Sequence, residues 1–172
     1  MPVRWRRCTS PGQSPSNSIA GCEAAGGGAV AEGYNTMQFA GVGSDYDVHK
    51  GIREMYQKDG KPAPKEMAST VYYNRGIFHI AVHIEAVRNA LKAKGGSADI
   101  TGADVKAGFE KVKGVTLGGL MPPLEITPVD HEGGGWVQIF TVKGGKLTKG
   151  GDWYRAYPEV IKKHIEADAK KS

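Results

Sequence analysis

Two clusters of side chains have types and spacings that could do chemistry. His79 and His83 stand four apart. On a helix they share a face, the spacing from which two imidazoles grip a divalent metal. The zinc-protease pattern also needs a glutamate directly after the first histidine as general base; that position here is Ile80. A third ligand would have to come from afar, with Glu85 and His131 as the candidates. The preferred reading is a pair of helix-surface histidines, so no metal and no catalytic residue is expected. A metal-dependent enzyme using His79 and His83 is the alternative. The second cluster is Tyr72, Tyr73, Asn74 and Arg75 at the expected start of a helix. A helix start presents free amide donors and a positive end, suited to an anionic group. Tyrosines add flat apolar area with a hydroxyl tip. Together they make a binding constellation for a carboxylated small molecule. Packing of both rings against a neighbouring sheet remains open beside it.

Other motifs fall away. No G-x-S-x-G elbow and no phosphate-binding P-loop occurs. Gly41-Val42-Gly43 begins like a dinucleotide loop, but the third glycine position is Tyr46. Asp130-His131-Glu132 is dense in titratable groups, yet it sits in a glycine-rich stretch and reads as a turn in which Asp130 bonds its own backbone.

The elements that must position these residues follow from periodicity. Residues 29–39 read as a strand anchored by Val30, Tyr34 and Phe39. Val48, Ile52, Met55 and Tyr56 mark one face of a helix, capped by Asp45 or Asp47 and ended at Asp59-Gly60. The longest helix carries Ile77, Ile80, Ile84, Val87 and Leu91 at steps of three and four, a stripe expected to be buried, and stops at Gly95-Gly96. Thr101 to Asp104 reads as a capping box, opening a helix with Val105, Phe109 and Val112 inward. Leu124 and Ile126 suggest a short edge strand between prolines. Residues 136–142 and 146–153 read as a hairpin turned at Gly144-Gly145, and a last helix starts near Pro158 with Val160, Ile161 and Ile165 inward. The fold class is α/β. So few strands cannot close a sheet around such helices, so the long helix is expected to lie on a sheet mostly outside this sequence.

Bulk properties agree with a folded chain. It has 172 residues, 40% hydrophobic and 24% charged, which excludes disorder of the whole. The net charge is +5, but its cations are scattered apart from Arg4, Arg6 and Arg7 and a lysine group near the end. No nucleic-acid partner is expected. Cys8 and Cys22 make no disulfide framework. Residues 1–28 lack any period and are expected to be a disordered or mis-framed segment. Their basic start lacks the apolar stretch of an export signal. The chain as written is therefore expected to be cytoplasmic.

From residue 29 the order of short motifs resembles one family. Ala31-Glu32-Gly33-Tyr34, a glycine-bearing crossing and the Val48 helix resemble a stretch of the type I periplasmic binding proteins, in particular the branched-chain amino-acid and amide-type substrate-binding components of ABC transporters. Val71-Tyr72-Tyr73-Asn74-Arg75-Gly76 and the Glu85 to Arg88 helix look like their tyrosine-led helix. Thr101 to Val105, Gly118-Gly119-Leu120, Ile126-Thr127, Asp130 to Gly133 and Asp152-Trp153 follow in the family's order.

The resemblance implies a two-lobed Rossmann-like fold joined by a three-strand hinge, closing on a solute in the cleft. Residues 29–172 would be its C-terminal portion, spanning parts of both lobes, with most of the N-terminal lobe missing. Residues 44–127 would belong to the first lobe, and 136–153 with the last helix to the second, hinged near 41–44 and 128–134. Tyr72 and Tyr73 would be the ligand-binding candidates facing the cleft, with Arg75 as a lesser candidate. The implied ligand is an amino acid, an amide or an aromatic or other organic acid. Implied partners are the permease subunits of the transporter, the implied compartment is the periplasm, and no cofactor is implied. A ligand sensor on the same fold is a further alternative.

Overall fold

A computed structural model describes residues 31–170 except 70 and 134. The expectations for residues 1–28 and for both cysteines lie outside the described residues. Among the described residues the contacts form two compact units, one of residues 31–38 and 138–152 and the other of residues 39–137 and 153–170. The chain therefore passes between units after residues 38, 137 and 152. The last helix groups with residues 39–137.

In the first unit, β1 (Asn35–Gln38), β2 (Gln138–Lys143) and β3 (Lys146–Lys149) form an antiparallel sheet in the order β1-β2-β3. β1 is shorter than the strand expected from residue 29; residue 31 is helical and Gly33, at φ 78°, turns the chain into the strand. Asn35 faces Thr141 and Gln38 faces Gln138. The Thr141 hydroxyl donates to the Asn35 side-chain oxygen at 2.6 Å, a bond spanning the pair. The hairpin of β2 and β3 turns as expected at Gly144 and Gly145, with φ of 56° and 74°. Two consecutive positive φ values suit a tight turn matching the strand twist, which glycine adopts without a side-chain clash. β3 stops at Lys149, short of the expected return strand. Phe140 and Val142 are buried, and Val142 packs with Ala31 and Leu147.

The second unit is helical. It contains α1 (Asp47–Lys58), α2 (Glu66–Ser69), α3 (Val71–Ala93), α4 (Gly102–Phe109), a 3-10 turn (Leu117–Gly119) and α5 (Pro158–Ala169). The N-cap of α1 is Tyr46, with no side-chain cap, so neither Asp45 nor Asp47 serves as expected; Asp47 instead pairs with Lys50 at 2.9 Å. α1 ends at Asp59, followed by Gly60 at φ 66°. The capping box of α4 is present: the Asp104 amide donates to Thr101 Oγ1 at 3.3 Å and the Thr101 amide to Asp104 Oδ2 at 2.8 Å. The strand expected at 124–126 reduces to isolated antiparallel bridges, Lys113 with Glu125 and Thr127 with Asp130. The Asp130 turn is as expected, its carboxylate accepting from the Glu132 amide at 2.9 Å.

The core of this unit holds Val82, Ala86, Val112, Leu120, Met121 and Leu124. α3 and α4 meet through small residues. Ala86 and Ala90 are buried, and a Cβ added at Gly108 would collide with the Ala86 carbonyl. Asn89 closes the contact by donating to the Gly108 carbonyl at 3.1 Å. The expected buried stripe of α3 is corrected by this packing. Ile80, Ile84 and Val87 are 61%, 47% and 37% exposed, while the opposite face, with Val82, Ala86 and Ala90, is the buried one. Periodicity finds a stripe, but it cannot tell which of two apolar faces meets the neighbour. The close approach needs alanine and glycine, not the bulkier isoleucines. Val160 of α5, expected inward, is 52% exposed, while Ile161 and Ile165 are half-buried.

Candidate functional site

The tyrosine-led start of α3 splits into two sides. Successive helical residues lie about 100° apart, so Tyr72 and Tyr73 cannot share a face. Tyr73 turns toward α1: its ring lies near parallel to His49, centroids 6.5 Å apart. Burial pushes its phenol up from the ordinary value, with Tyr56 and Glu66 nearby adding to the effect. Tyr72 and Arg75 take the other side. The Arg75 guanidinium lies 5.3 Å over the Tyr72 ring and 4.6 Å over the ring of Phe39. Two aromatic faces on one guanidinium fix its plane by cation–π attraction. A planar cation held this way can present paired N–H donors to a carboxylate.

Phe39 is the residue that sequence reasoning missed at this place, where it was assigned as a strand anchor. It stands edge-on to Phe78 at 6.0 Å and to His79 at 6.4 Å. Nothing in the local pattern links position 39 to position 75; only the return of the chain to α3 joins them. The open helix end expected at Tyr72 is also modified, because α2 runs in just ahead with only residue 70 between.

Below the tyrosines a buried network pins the chain. Asn74 and His49 are both fully buried. Asn74 Nδ2 donates to the carbonyls of Gly41 and Gly43, each at 2.8 Å. Both amide hydrogens are then used, so Asn74 Oδ1 must accept, and His49 Nε2 donates to it at 2.7 Å. This assigns the His49 proton to Nε2. Gly41 also has no room for a side chain, since a Cβ there would run into the Tyr46 ring. In the stretch expected as a hinge, the Gly41 and Gly43 carbonyls are tied to α3. Removing Asn74 would strand buried partners, at a cost of about 1–3 kcal/mol for each such group.

The two histidines of the metal alternative lie on an exposed part of α3. His83 Nδ1 donates to the His79 carbonyl at 2.7 Å, and its ring meets Phe109 edge-on at 5.1 Å. His131 instead lies 3.3 Å from Glu110. Lys106, and then His131, beside that carboxyl hold it below the usual range. Among the described residues no cluster of three or more histidine, cysteine or acidic side chains is placed to hold a metal ion.

Two concave regions lie in this unit. One, of about 750 Å³, is mainly apolar and is lined by residues that include Phe78, His79, Val82, His83, Phe109 and His131. The other, of about 480 Å³, is more polar and includes Trp136 and Arg155, whose guanidinium lies 5.4 Å over the Trp136 ring. Tyr72, Tyr73 and Arg75 line neither. The first region nonetheless adjoins them, because Phe78 and His79 belong both to its wall and to the Phe39 cluster. No described helix is long and apolar enough to cross a membrane.

No protein-family model matches the chain, and no curated protein matches it. Solved structures do. A crystal structure of an ABC transporter permease from the Pseudomonas fluorescens group is 29% identical, with a TM-score of 0.72 over 83% of this chain and 36% of its own. A branched chain amino acid ABC transporter from Thermus thermophilus, solved with bound valine, is 20% identical, with a TM-score of 0.62 over 84% of this chain and 38% of its own. The likeness to the second concerns fold alone. The α/β class expected from the sequence holds, as a partial match to the larger fold. This chain spans little more than a third of either solved chain, and both neighbours are transporter components, not enzymes.

Proposed function

We propose that the chain forms part of the substrate-binding component of an ABC transporter and takes a small organic solute without transforming it. The observation that carries this reading is the likeness to a transporter component over 83% of the chain at 29% identity. The solute class is an amino acid, an amide or an aromatic or other organic acid, the partners are the permease subunits, and the compartment of the whole protein is the periplasm. The chain corresponds to the C-terminal portion of a two-lobed protein, spanning parts of both lobes. Closure around the solute is the mechanism in this reading, hinged near residues 41–44 and 128–134.

The carboxylate contact in this reading is Arg75, held between Phe39 and Tyr72. Tyr73 supports from the α1 side and does not touch the solute directly. Thermal melting of the full chain against L-valine, L-leucine, acetamide and benzoate at millimolar concentration tests the reading. A solute about a hundredfold above its dissociation constant adds about 2.7 kcal/mol of stability. The expected result is a raised melting temperature with one carboxylated solute, lost in Arg75→Ala and kept in Arg75→Lys at reduced size. No shift with any of the four, or a shift indifferent to Arg75→Ala, would sink it.

A further inference from the structure

Trp136 and Arg155 are distant in sequence and are brought together by one pair of backbone bonds. The Val137 amide donates to the Tyr154 carbonyl at 3.0 Å, and the Tyr154 amide to the Val137 carbonyl at 2.9 Å. This antiparallel bridge sets residue 136 opposite residue 155, and side chains opposite each other on such a pair meet. The Arg155 guanidinium accordingly lies 5.4 Å over the Trp136 ring. Its Nε is buried and has no hydrogen-bond partner among the described residues. None of the ion pairs among the described residues involves Arg155. Buried donors in folded proteins are nearly always paired. A guanidinium fixed on an aromatic face, with a buried N–H and no acceptor, marks a place for one.

The cavity at this place has a volume of about 480 Å³, within the roughly 300–1,000 Å³ of small-molecule sites. Its walls include Arg155 and Lys162 together with Trp136, Pro158, Ile161 and Ile165. Four carboxylates also line it, those of Glu125, Asp130, Glu159 and Glu166. Three of them are engaged: Glu125 with Lys113 at 2.9 Å, Glu166 with Lys162 at 3.9 Å, and Asp130 with the Glu132 amide at 2.9 Å. Of the two lining cations, Arg155 is the one without a carboxylate. We infer that this cavity binds a small carboxylate monoanion with a flat apolar body, its carboxylate on Arg155 and its body along Trp136, Ile161 and Ile165. A guanidinium presents paired donors that match a carboxylate. The acidic lining repels a dianion such as phosphate more strongly than a monoanion, and the apolar walls favour a body that carries no further charge. Arg75 does not line this cavity, so the inference goes beyond the functional reading above and does not rest on it.

The test is a tryptophan-fluorescence titration of the full chain with phenylacetate, run beside phenylacetamide and inorganic phosphate. The expected result is saturable binding of phenylacetate, with the amide and phosphate weaker by about tenfold or more, because each lacks the match of one negative charge to one guanidinium. Arg155→Gln should weaken phenylacetate by about tenfold or more while its helical circular dichroism stays that of the native chain. Arg75→Ala should leave phenylacetate binding unchanged. The comparison of acid with amide uses the native chain, so it decides the matter even where Arg155→Gln does not fold. Any of four results overturns the inference: no saturable binding of phenylacetate, an amide or phosphate bound as tightly, unchanged binding in folded Arg155→Gln, or a loss in Arg75→Ala that Arg155→Gln does not share, which would assign the carboxylate to Arg75. The two arginine variants keep this outcome distinguishable from that of the solute reading at Arg75.

Discussion

The two faces of α3 are made of the same kind of residue and have opposite fates. On one, Val82, Ala86 and Ala90 disappear against α4 and the 112–124 segment; on the other, Ile80, Ile84 and Val87 remain in contact with water. The larger hydrophobes are on the open side. Greater hydrophobicity would favour burying them first, since each fully buried isoleucine or valine contributes about 1.5–3 kcal/mol. The reversal teaches that close approach decides within the chain. Gly108 rests directly on the Ala86 backbone, a distance no isoleucine could permit.

The sharpest way to break this contrast is on the close-packed side. Gly108→Val should push α4 off α3 and cost about 3 kcal/mol by overpacking, read as a lower urea midpoint. A change under a third of that would mean the two helices separate easily and the small-residue contact is incidental.

A smaller effect is expected at the start of α4, where the capping box faces the end of α3. Thr101→Ala should cost about 1 kcal/mol. The hydrogen bonds from Thr101, ahead of the Lys94 ammonium at 3.3 Å, hold the Asp104 carboxyl below its usual value. A carboxyl lowered on folding adds stability above its unfolded value, and this is lost as pH falls through its folded value. Asp104→Asn should therefore lower stability at neutral pH and flatten the acid limb. An acid limb identical to the native one would show that the box does not support the helix pair.

The smallest effect belongs to the open side. Ile84→Gln in the chain alone should change stability by no more than about 0.5 kcal/mol, as exposed positions do. A loss several times larger would show that the isoleucine face is already covered, and the two faces would cease to differ.

Much of this organisation was readable from local pattern. The capping box at Thr101, the glycine turn at 144–145, the Asp130 turn and the extent of α3 all arise from interactions within a few residues, where type and spacing suffice. The apolar character of α3 and the presence of an aromatic cluster at its head were readable in the same way. The strand at 124–126 was not, because pairing is a property of neighbours and here produces only single bridges.

What tertiary structure decided was direction and partnership. It turned Tyr73 to His49 and Tyr72 to Arg75, brought Phe39 over the guanidinium, and used Asn74 to tie down carbonyls at 41 and 43. Apart from the Tyr72–Arg75 pair, which lies one helical turn apart, each of these joins positions more than twenty residues apart. Helical periodicity records that a face is apolar; only the atoms brought against it, and the room they leave, determine whether that face is buried.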